Sequence, residues 1–163
     1  MWNTFAAVSG GAAGGLVGLI FIVVSFRYET LAVSEEYRSR AAQTLSLFLT
    51  VTVVALLMTV PQYEKALGAE MVLVALVSGT LLRSLDTTAR REQTTRPSAA
   101  LAWALTVFVA CLGLSGLLVA LGQGWGRYLY VVSAVDGLLC GAYGAWTFLT
   151  RAGTTTATPV ATG

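Results

Sequence analysis

Apolar residues gather in five long stretches separated by short polar connections, and that alternation carries most of the information in the chain. The first stretch, from Phe5 to Phe26, contains no charge and reaches the roughly 20 residues a helix needs to cross a bilayer. Arg27 and Tyr28 close it. The polar segment that follows carries Glu29, Glu35 and Glu36, which keep it out of hydrocarbon although Leu31 and Val33 can graze the interface. A second apolar stretch runs from about residue 41 to 60 and is stopped by Pro61, which cannot continue a helix. A shorter third stretch spans about 69 to 85, between Glu70 and Arg83. The fourth covers about 99 to 121 and the fifth about 128 to 150, joined by a glycine-rich turn too short for anything but an antiparallel hairpin.

This pattern predicts an all-α fold, a five-helix transmembrane bundle forming one domain over residues 1–151. Residues 152–163, rich in Thr and Ala and without periodicity, are expected to be a disordered tail. The alternative is a four-span chain in which the short third stretch lies on the surface or dips in and returns.

Glycine spacing assigns the first helix a central place. Gly10, Gly14 and Gly18 form one i, i+4 row and Gly11 and Gly15 a second, together a ridge against which another backbone can approach closely. In lipid no hydrophobic gain draws helices together, so such small-residue contacts matter. The expectation is therefore that the first helix is the packing post, within one chain or between copies, with a pore-lining role as the other possibility. Gly137 and Gly141 repeat the small-xxx-small spacing in the fifth stretch, beside Cys140 and Gly144.

Composition places the chain among membrane proteins: 56% of residues are hydrophobic and 11% charged, against about 25% charged in a soluble domain. The lipid bilayer is thus the first expected partner, with another membrane protein or a second copy of this chain as the next. The net charge of +2 and the absence of a basic tract with interleaved aromatics point away from nucleic acid. No cofactor motif is present. Cys111 and Cys140 sit inside apolar stretches and read as free thiols. Met1 to Thr4 carries no Lys or Arg, so the first stretch is expected to remain on the protein rather than to be a cleaved signal.

Charge also chooses the topology. With five spans, one side holds Arg27, Arg38, Arg40, Arg83, Arg90, Arg91, Arg96 and Arg151, and the other only Lys65 and Arg127. The positive-inside rule then puts the N-terminus outside and the C-terminus in the cytoplasm.

Asp136 is the single acidic residue deep within a span. A carboxyl there is costly, so it is expected to face the bundle interior, pair with a donor or carry a proton. Thr106, Thr50, Thr52 and Ser78 are candidate hydroxyl partners at similar depth, with Ser133 and the two thiols. Asp136 then either ties two helices together or serves the passage of a proton, cation or small solute. Catalysis finds no support: there is no histidine to act as a base or bind zinc, and no second intramembrane carboxyl.

One resemblance adds to this. Trp2-Asn-Thr-Phe5, Gly10-Gly-Ala-Ala, Gly18-Leu-Ile-Phe21 with Ser25, then Arg40-Ala-Ala and Val60-Pro61, resemble a family of small actinobacterial multi-pass integral membrane proteins. Some of its members carry the label modulator of the FtsH membrane protease. The likeness covers roughly the first 85 residues, implies a bacterial inner (cytoplasmic) membrane as the location, and implies no site residues. The functional expectation is a non-catalytic accessory or interaction protein; the alternative is a small channel or carrier that uses Asp136.

Overall fold

The computed structural model describes residues 2–26, 35–92 and 99–154. The expectations for Leu31 and Val33, for the loop around Arg96 and for the tail from residue 155 onward lie outside the described residues. Five α-helices follow one another: α1 (Trp2–Phe26), α2 (Glu35–Thr59), α3 (Glu64–Glu92), α4 (Ala99–Ala120) and α5 (Gly126–Thr154). Each contains a segment long and apolar enough to cross a bilayer, the third included, over Glu64–Thr87.

The helices outrun the apolar stretches. α3 has 29 residues and is not the short element its hydropathy suggested, because the polar residues at its ends are helical as well. Glu64 stands in its first turn, where a negative charge meets the positive end of the helix dipole. At the other end Thr87 donates to the Ser84 carbonyl at 2.8 Å. α2 likewise starts at Glu35, before its apolar stretch, and α5 continues to Thr154, into the expected tail.

Consecutive helices are antiparallel, and four of them close a ring. α2 packs on α3, α3 on α4, α4 on α5, and α5 returns to α2; α1 lies outside the ring, along α2 and touching α5. One end of the bundle carries the two tight connections, after Pro61 and at Gly122; the other carries Arg38, Arg40 and Arg83. The ring is filled by Phe48, Val54, Met71, Phe108, Leu112 and Tyr130, all essentially inaccessible.

The α4–α5 turn shows how the hairpin is made. Gly122 has φ of 71°, its N–H donates to the Val119 carbonyl at 3.0 Å, and the Gln123 N–H reaches back to the Leu118 carbonyl at 2.8 Å. This pairing caps a helix that ends on a left-handed residue, a conformation glycine adopts without steric penalty. α5 then begins so close to α4 that a Cβ on Gly126 would lie 2.8 Å from the Val119 nitrogen.

Within the chain, the glycine ridge of α1 is not the packing post. Only Gly10 meets another helix, with a Cβ position 2.7 Å from the Ala55 Cβ, whereas Gly11, Gly14, Gly15 and Gly18 have nothing within 4 Å of theirs. The side of α1 that packs is built from Ala6, Ser9, Gly10 and Ala13. α2 takes the central place instead: 61% of its spanning window is buried against 11% for α1. The close glycine contacts lie within the ring. Gly137 abuts Phe108 and Val51, Gly141 abuts Phe48, and Gly144 abuts Thr44, so the small face of α5 is a groove filled by α2 and by one ring of α4.

Candidate functional site

Polar side chains inside the bundle fall into bonds that join helices and bonds that return to their own backbone. The clearest joining pair links α2 to α3. Thr50 donates to the Ser46 carbonyl at 2.7 Å and its oxygen lies 2.8 Å from Ser78 Oγ. A hydroxyl carries one hydrogen, and Thr50 has committed its own to Ser46, so Ser78 donates across the interface. Both residues are buried, and the structure thus brings together two of the five hydroxyl and carboxyl candidates.

Three further contacts join helices, and sequence spacing did not single them out as pairs. Ser9 on α1 lies 3.3 Å from the Tyr130 hydroxyl on α5, and the same tyrosine ring receives Phe5 edge-on at 5.9 Å. Ser115 on α4 donates to the Gly126 carbonyl at 2.7 Å. Ser133 on α5 donates to the Phe108 carbonyl at 3.3 Å. The residue types carry no long-range signal; each serine is visible in the sequence, but its partner depends on which helices become neighbours. At the turn end, Gln62 donates to Glu70 of the adjoining α3 at 2.9 Å, and Arg127 at the start of α5 pairs with Glu64 at the start of α3 at 2.8 Å.

Thr106 and Thr52 are not part of a shared site with Asp136. Thr106 is exposed and donates to the Ala102 carbonyl at 2.8 Å; Thr52 donates to the Phe48 carbonyl at 2.9 Å. Each hydroxyl is satisfied one turn back on its own helix, the usual local alternative for threonine in a helix. Asp136 is half-buried, and its contact is also local: Cys140, one turn further along α5, places Sγ 3.6 Å from Oδ1 as donor. Oδ2 is buried and has no hydrogen-bond partner. The expected hydroxyl from a neighbouring helix is therefore replaced by a thiol of the same helix. Face geometry explains this. Gly137, Gly141 and Gly144 mark the side of α5 that meets α2, and Asp136 stands at its edge, beyond the reach of the α2 threonines.

A second buried polar atom lacks a partner, and it lies in α2. Gln43 is 5% exposed; its Oε1 receives Arg40 Nη1 at 3.5 Å, while its Nε2 is buried without an acceptor. Leaving a buried donor unmet costs about 1–3 kcal/mol. The signal for this residue was present, since Gln43 is the one carboxamide within the second apolar stretch. Both cysteines are free thiols. Among the described residues no three His, Cys, Asp or Glu side chains gather to hold a metal ion.

Among the described residues, the bundle is chemically a set of interhelical ties with two unmet buried side-chain atoms, Asp136 Oδ2 toward the middle of α5 and Gln43 Nε2 nearer the arginine-rich end of α2. No protein-family model, curated protein or solved structure matches the chain.

Proposed function

We propose that the chain is a multi-pass protein of the bacterial cytoplasmic membrane, N-terminus outside and C-terminus inside, acting as an accessory or interaction subunit without catalysis of its own. The observation that carries this reading is the division of labour between ring and appendage. Four buried hydroxyls of the ring tie its own helices together, at Thr50–Ser78, Ser115–Gly126 and Ser133–Phe108. α1 lies outside it, with Gly11, Gly15 and Gly18 facing open space. In lipid a bare small-residue face is suited to a further helix, either from another membrane protein or from a second copy of this chain.

The test compares wild type with Gly15→Leu, purified from native membranes in mild detergent. A partner or self-association that is lost from the variant, with the bundle intact, supports the reading. A wild-type protein that is monomeric and brings down nothing beyond the background of the variant overturns it.

The second reading, a small channel or carrier for a proton, cation or small solute, draws its support from the unpartnered Oδ2 of Asp136. Flux into liposomes that is present in wild type and lost in Asp136→Asn would favour it over the accessory role.

A further inference from the structure

The buried polar residues of α2 are not scattered. Ser39, Gln43, Ser46 and Thr50 recur at intervals of four, three and four, so they share one face of the helix, and all four are buried, at 7%, 5%, 8% and 4% exposure. Thr50 shows which way the face points, because its oxygen meets Ser78 of α3. The stripe starts beside Arg38 and Arg40 and stops at the Thr50–Ser78 pair; beyond it the same face continues as Val54 and Leu57. The polar stripe thus runs into the bundle from the arginine-rich end and stops at Thr50–Ser78.

Gln43 gives the stripe a chemical demand. Its amide orientation is set by Arg40, whose Nη1 donates to Oε1; the reverse assignment would set N–H against N–H. The unmet atom is therefore the donor, Nε2. Away from protein acceptors, a donor at bilayer depth is tolerated where it lines a hydrated cavity.

We infer that the α2–α3 seam is a blind polar entry that admits water and small water-borne hydrogen-bond acceptors from the arginine-rich end to Gln43, and is closed at Thr50–Ser78. This is a property of the ring itself, independent of whether α1 binds a partner.

Cysteine accessibility tests it. In a background with Cys111→Ala and Cys140→Ala, single Gln43→Cys, Ser46→Cys and Val54→Cys variants are exposed in sealed vesicles to the membrane-impermeant anion methanethiosulfonate ethylsulfonate, from either side. The reagent needs a hydrated, ionisable thiol, so Gln43→Cys should react at least about tenfold faster than Val54→Cys, and from one side only. Ser46→Cys replaces one small side chain by another and keeps the test valid if the Gln43 variant fails to fold. The inference is overturned if Gln43→Cys and Ser46→Cys both stay unmodified until the protein is denatured. It is equally overturned if Val54→Cys reacts as fast as they do, since the seam would not then end at Thr50–Ser78.

Discussion

Substituting Gly116 by Ala tests whether the ring is held by backbone-to-backbone contact. A Cβ at this position would lie 2.8 Å from Met71 Cβ, 2.9 Å from the Gly68 carbonyl oxygen and 2.9 Å from the Val72 nitrogen. Two of those three atoms belong to the α3 backbone and the third is the first atom of a side chain, so no rotamer change makes room. α3 and α4 must separate, and overpacking of this kind costs about 1–3 kcal/mol. Alanine also improves intrinsic helix propensity by up to about 1 kcal/mol, which would mask part of the loss.

In micelles that hold the chain as a monomer, Gly15→Ala supplies the correction, because it makes the same chemical change in a helix where nothing of the chain lies within 4 Å. The difference between the two variants is the cost of the contact alone, about 1–3 kcal/mol, or roughly a 5- to 150-fold shift in the unfolding equilibrium. Unfolding by sodium dodecyl sulfate in mixed micelles, followed by far-ultraviolet circular dichroism, measures it. Adding Met71→Ala should not rescue Gly116→Ala, since the contact is with a Cβ that alanine retains. Equal stability of Gly116→Ala and Gly15→Ala, or full rescue by Met71→Ala, would refute the argument.

Thr50→Val and Ser78→Ala in a double-mutant cycle should show a coupling of about 0.6 kcal/mol, and no more than about 1.7, as for other intramembrane hydroxyl pairs; zero coupling would remove the α2–α3 tie. Asp136→Leu should leave stability within about 1 kcal/mol of wild type, because the carboxyl gives up only a thiol contact and an unmet oxygen; a larger loss in the same unfolding assay would reveal an interhelical partner. A reporter that works only in the cytoplasm should be active when fused after Gly163 and inactive when inserted at Gln123, and the reverse pattern would overturn the orientation drawn from the arginine count.

Much of the architecture was legible because hydrocarbon thickness is written into chain length. Each apolar stretch coincides with a helix, and Pro61 and the Gly122 turn fall where the chain reverses. Helix ends were less legible, since hydropathy marks the part of a helix that lies in lipid and is blind to Glu35 or Thr87 continuing it into water. The candidate site divided the same way. Thr50 and Ser78 meet, but Thr106 returns to its own backbone, because a hydroxyl has a satisfactory local partner in any helix and gives no sign of choosing a distant one.

That the α1 glycines lie away from the packing centre of the chain has a more general cause. In water an apolar face must be covered, so the most apolar helix belongs in the centre; in a bilayer lipid covers that face equally well, and apolarity stops discriminating between inside and outside. What remains expensive in lipid is an unmet polar group. α1 has glycines but few polar side chains, and it ends up on the flank with one buried serine tied to Tyr130. α2 carries Ser39, Gln43, Thr44, Ser46 and Thr50, all of them buried, and it is the helix against which α1, α3 and α5 all pack. Small residues permit close approach wherever a neighbour happens to lie, as Gly137 and Gly141 do for Phe108 and Phe48. Polar residues decide which helix needs neighbours on most of its sides. The centre of this bundle is therefore marked in the sequence by the hydroxyls and the carboxamide of the second apolar stretch, and the glycines of the first mark a face that the chain leaves uncovered.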